Sequence, residues 1–148
     1  MQAIVASPQA LAADLELFLN HLHRSTLAGW LQTVADLELS FTQVKALQVL
    51  VEREELSVKD LAEALTLSFP AASRAVEGLV GRALVERREC AADRRSRLIR
   101  LSPTGREVSE RVLDARLEGL EAFVAKLPAE ERDRLQAALA PFLERTRG

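Results

Sequence analysis

Apolar positions in this chain recur at helical spacing almost throughout, with one short interval where they do not. Leu11, Leu15, Phe18, Leu19 and Leu22 share one face of a 3.6-residue helix, preceded by Ser7 as N-cap and Pro8 in the first turn. Ser40 with Gln43 forms a capping box ahead of Val44, Leu47, Leu50 and Val51, and Ser57 with Asp60 forms a second ahead of Leu61 and Leu65. Ser68 opens a fourth helix with Pro70 in its first turn, and Ala72, Val76, Leu79 and Val80 make its inward stripe. After Gly81 the period changes. Leu84 to Arg88 and Arg97 to Leu101 read as short strands separated by the small and charged residues Glu89 to Ser96, the pattern of a hairpin with a long exposed loop. Helix resumes at Ser102 and Pro103, with Val108, Val112, Leu113, Leu117, Leu120 and Val124 as its apolar face. Pro128, followed by Glu130 and Glu131, starts a last helix whose stripe is Leu135, Leu139, Phe142 and Leu143, and Pro141 predicts a kink in it.

The resulting order is four helices, a hairpin and two helices, so the fold class is mainly α with a small β-hairpin wing. Three segments follow: an N-terminal helical segment over 1–39, a winged helix-turn-helix lobe over 40–101, and two C-terminal helices over 102–148. The middle lobe, of about 60 residues, is large enough to close a small core of its own. The stripes outside it need one another and a second chain, which makes the flanking segments dimerisation elements.

Composition narrows the function. With 48% hydrophobic and 28% charged residues in 148, an ordered soluble protein is expected. No apolar run approaches the roughly 18 residues of a membrane helix, and no basic region precedes an apolar stretch at the N-terminus. With a single cysteine, which cannot form an internal disulfide, this predicts a cytoplasmic protein without membrane contact. A nucleophile motif, a glycine-rich phosphate loop and paired metal ligands are all missing, so no enzyme activity, cofactor or metal is expected. Net charge is −2, which excludes a uniformly basic nucleic-acid coat. Its distribution says more, because Arg82 to Arg100 carries seven arginines against Glu86, Glu89 and Asp93, a local +4 on a chain whose remainder is −6. That asymmetry is the footprint of a basic surface aimed at a polyanion.

Two short helices joined tightly, the second opening with small polar residues and followed by a basic hairpin, describe a winged helix-turn-helix. The inward stripe of the second leaves Pro70, Ser73, Arg74 and Glu77 on the outer face, whose N-terminal part suits a major groove. There Ser73 and Arg74 can bond base edges, Arg most naturally guanine, while Ser68 and the free first-turn amides suit a phosphate. Glu77 is expected to pair with Arg74. At the hairpin tip Arg94 and Arg95 can enter a narrow minor groove, with Asp93 holding the guanidinium fork, while Arg97 and Arg100 on the strands reach only phosphates.

The run from Ser40 to Gly105, with FTQVKALQVLVE, LSVKDLAEALTLSFPAASRAVEGLV, ALVERRE and DRRSRLIRLSPTG, resembles the MarR family of bacterial transcriptional regulators. Asp93, Arg95, Leu98, Leu101 and Gly105 are the most specific part of the pattern. The resemblance covers essentially the whole chain. It implies a homodimer with interlocked first and last helices that binds pseudo-palindromic double-stranded DNA, usually as a repressor released by a small phenolic or lipophilic effector or by oxidation. It also implies an effector pocket near the end of the first helix. Relatives carry glycine where Ala83 stands, and Gly81 is expected to serve that turn instead.

Several residues hold two readings each. Phe69, at a helix start, either touches a thymine methyl or packs on the preceding helix. Cys90 lies among Arg87, Arg88 and Arg94, whose charges favour a thiolate, so it is either a redox switch or an inert thiol. His21 and His23 point about 200° apart on one helix and cannot share a metal. His21 either lines the effector pocket or sits on the surface, and Trp30 either lines that pocket or belongs to the core. The competing function is a winged-helix protein-interaction module whose basic wing docks an acidic protein partner. Retention on heparin or random duplex with steep salt dependence separates the two.

Overall fold

A computed structural model of the chain describes residues 7–89 and 97–146. The elements are α1 (Pro8–Asp36), α2 (Phe41–Arg53), β1 (Glu55–Ser57), α3 (Val58–Leu65), α4 (Phe69–Gly81), β2 (Val85–Glu89), β3 (Arg97–Leu101), α5 (Pro103–Ala125) and α6 (Ala129–Thr146). Their starts are where side chains satisfy first-turn amides. Ser7 Oγ accepts from Ala10 N, Ser57 Oγ from Asp60 N and Ser68 Oγ from Ala71 N. At α2 the exchange is reciprocal, with Ser40 Oγ accepting from Gln43 N and Gln43 Oε1 accepting from Ser40 N.

The described chain packs as two compact units, one from Trp30 to Ala115, the other made of the described residues up to Gly29 and those from Arg116 on. In the first, Leu47, Leu50, Leu61, Val76, Leu79 and Ile99 are fully buried and hold α2, α3, α4 and the sheet around one core. Cutting such a side chain to alanine costs about 2 to 5 kcal/mol, so each contributes a large share of a domain's stability. The strands form an antiparallel sheet in the order β1-β3-β2, with Leu56 and Arg87 both opposite Ile99. Strand β1 adds to the expected hairpin. Three residues between two helices carry no period to read, and the strand forms because the free edge of β3 pairs with it.

Turns decide how these elements meet. Thr66 ends α3 in the left-handed region, its N–H shared by the carbonyls of Ala62 and Glu63, which leaves three residues between α3 and α4. At the α4–β2 turn the expectation about Gly81 is overturned. Gly81 closes α4 without a positive φ, and Ala83 takes φ 56° itself. Its N–H bonds Val80 O and that of Leu84 bonds Leu79 O, so the helix end is satisfied by the turn that strains Ala83. Against this turn lies the start of α5: Ser102 Oγ accepts from Gly105 N and donates to Ala83 O, and Ser102 N donates to Leu84 O. A Cβ at Gly105 would stand 1.8 Å from Leu84 O, so only glycine admits the approach.

In the second unit a Cβ at Gly119 of α5 would stand 2.7 Å from Thr26 O of α1, so the two helices cross closely there. Phe18 meets the buried Phe123 edge-on at 6.2 Å. Most other apolar side chains of this unit, among them Leu11, Leu15, Leu117, Leu139 and Phe142, are exposed. Helix α6 runs through Pro141 to Thr146.

Candidate nucleic-acid interface

Helix α4 is held from beneath and open above. Ala72, Ala75, Val76 and Leu79 are buried. Gly78 lies against the Gln43 side chain, Nε2 only 2.6 Å from where a Cβ would stand, so the α2 capping residue also sets how closely α2 and α4 pack. On the opposite side Ser68, Phe69, Pro70 and Arg74 are exposed and Ser73 is half-buried. Arg74 makes no hydrogen bond or ion pair among the described residues, leaving all its donors for a ligand. Phe69 is 57% exposed, so more than half of the residue is open to a ligand. Glu77 does not pair with Arg74 as expected. Its carboxylate accepts from the Arg87 guanidinium on β2, because the long-range partner lies closer than the one a turn back.

Strand alternation sorts the arginines of the basic segment. Arg87 and Arg97 share the face of the buried Ile99, while Glu86, Arg88 and Arg100 share the other. On that second face Arg100 donates to Glu86 through Nε and Nη2 at 3.1 and 3.0 Å, and Arg88 stands 3.9 Å from Glu55. Both line an open cleft of about 760 Å³ that also holds Glu54, Glu107 and Glu110. Arg100, expected on its strand to reach a phosphate, is thus ion-paired with Glu86. Arg82 is likewise occupied, donating to the carbonyls of Leu37 and Glu38. Of the described arginines in the segment, Arg97 alone is exposed with no hydrogen bond or ion pair to another described residue. Counting charges along the sequence overstated the free basic surface, since partners that neutralise a guanidinium come from other elements. Cys90, Asp93, Arg94 and Arg95 lie outside the described residues.

The two effector candidates fall in different units. His21 is exposed and stands edge-on to Phe123 at 5.8 Å. Trp30 packs partly buried on the core of the winged lobe, its indole N–H shielded from solvent and without an acceptor among the described residues. Among the described residues no cluster of three or more His, Cys, Asp or Glu side chains is arranged to hold a metal, and no helix is long and apolar enough to cross a membrane.

Comparison with known proteins agrees with this geometry. The MarR family model matches residues 33–96, which span the end of α1 through the segment joining β2 to β3. The HTH-type transcriptional regulator YwhA of Bacillus subtilis (strain 168) is 29% identical over 98 residues, 66% of this chain and 70% of that protein. The crystal structure of RV1404 from Mycobacterium tuberculosis is similar over 97% of both chains, with 25% identity and a TM-score of 0.79. A MepR mutant of S. aureus bound to an oligodeoxyribonucleotide is similar over 88% of this chain and 96% of that one, with 25% identity and a TM-score of 0.70. The uncovered recognition-type helix, the three-stranded wing and these matches together make the chain similar to the MarR family and to HTH-type transcriptional regulators.

Proposed function

We propose that the chain is a cytoplasmic, homodimeric, sequence-specific repressor that binds a pseudo-palindromic operator in double-stranded DNA and leaves it when a small phenolic or lipophilic effector binds. The observation that carries DNA reading is Arg74, exposed and, among the described residues, unpaired on the outer face of a helix whose inner face is buried. Such a side chain, near a helix N-terminus whose amides favour a phosphate, suits a major groove. The MepR mutant bound to an oligodeoxyribonucleotide supports the same use of this fold. At the wing, Arg97 serves a phosphate, and Arg94 and Arg95, positioned by Asp93, serve the minor groove.

Dimerisation is supported by the exposed apolar faces of α1, α5 and α6, an area that a monomeric soluble protein rarely leaves open. An effector site near Trp30 is supported by its indole N–H, since a shielded donor without an acceptor gains from a ligand oxygen. Selecting bound duplexes from a random pool tests the reading. A palindromic consensus with half-sites about 10 base pairs apart is expected, with binding that falls steeply with salt. Recovery of unenriched sequences would contradict sequence-specific binding.

A further inference from the structure

The turn that ends α4 is gripped from two sides, and the two helices that grip it are the ones that continue out of the winged lobe. Arg82, the C-cap of α4, donates through Nη2 to Leu37 O at 2.7 Å and through Nη1 to Glu38 O at 3.1 Å. These carbonyls lie just past the end of α1, where unsatisfied acceptors and the helix dipole both favour a cation. On the other side, Ser102 at the start of α5 holds Ala83 O and Leu84 O. Both α1 and α5 carry residues of the other compact unit, α1 up to Gly29 and α5 from Arg116. Two left-handed non-glycine residues, Glu38 at φ 52° and Ala83 at φ 56°, stand at the ends of the Arg82 connection. Such backbone persists only where neighbouring contacts hold it. Residues 82–84 are thus the place where the end of α4 is tied to α1 and α5 by named hydrogen bonds.

We propose that Arg82 is a positioning residue for DNA recognition: by fastening the end of α4 to the end of α1 within the winged unit, it fixes the orientation of the recognition helix in that unit. The inference rests on the reading that α4 enters the DNA. Arg82 does not act as a phosphate ligand, because its guanidinium is committed to two carbonyls. It acts through geometry. Arginine fits this task because its planar fork reaches two neighbouring acceptors while its charge answers the helix dipole.

The test uses the full chain, a duplex selected from a random pool and a random duplex of equal length, titrated at several salt concentrations well below the melting temperature. Arg82→Gln should weaken binding to the selected duplex about tenfold, the effect of losing one charge-assisted contact. It should leave affinity for random duplex and both salt slopes unchanged. Arg82→Lys, which keeps a charged donor within reach of the carbonyls, should recover most of the loss. If both duplexes weakened together and the slope fell by about one, Arg82 would be a phosphate ligand and the inference would be wrong. Unchanged affinity for the selected duplex with a lowered melting temperature would reduce Arg82 to a structural brace, which also overturns it. Absence of selective binding by the unsubstituted chain would overturn the proposed function itself, an outcome visible before any variant is compared.

Discussion

Ala83 occupies a backbone region that costs an L-residue about 1 to 2 kcal/mol, and does so 22 residues before a glycine that cannot be replaced. The two are one arrangement: the turn at Ala83 presents Leu84 O, and Gly105 has no Cβ to collide with it. Ala83→Gly should therefore raise stability by about 1 kcal/mol at most, roughly 2 to 4 °C in melting temperature. Gly105→Ala should lower it by about 3 kcal/mol or more, since a backbone carbonyl cannot swing aside as a side chain can. Thermal unfolding followed by circular dichroism checks both, and a lower midpoint for Ala83→Gly would mean the turn is held in a conformation glycine does not favour. Gly105 was legible in the sequence as part of a pattern. Its physical reason was not, because the clash it avoids comes from a residue 21 positions away.

Among the elements, legibility followed the range of the interaction. Helix starts at Ser40, Ser57, Ser68 and Ser102 could be read because a cap involves residues three apart, all visible together in the sequence. Strand β1 could not, because its pairing partner lies more than 40 residues on. The same limit governs the wing. Seven arginines in one segment look alike in sequence, yet the sheet turns Arg88 and Arg100 toward acids on one face and leaves Arg97 open on the other. Arg97→Ala is expected to weaken binding to selected and random duplexes alike and to flatten the salt slope by about one. Arg100→Ala should leave the slope unchanged, because its charge is already answered by Glu86. Equal slopes for the two variants would show that strand alternation does not sort these charges toward DNA.

At the scale of the whole molecule, the winged lobe closes its own core while the second unit does not. Phe123 is its one deeply buried hydrophobic side chain among the described residues, whereas Leu11, Leu15, Leu117, Leu139 and Phe142 remain exposed. A chain lacking residues 130–148 should no longer dimerise, and light scattering at micromolar concentration should report a monomer that also fails to bind the selected duplex. A stable dimer of this shortened chain would place the interface elsewhere. The reading of α4 is tested most directly by Arg74→Ala, measured by titration against a selected duplex and a random one of equal length. Loss of about 1 to 3 kcal/mol on the selected duplex, with little change on the random one, is the result expected of a side chain that contacts a base edge. Equal loss on both would make Arg74 a phosphate contact and contradict the orientation of the recognition helix on which the account depends.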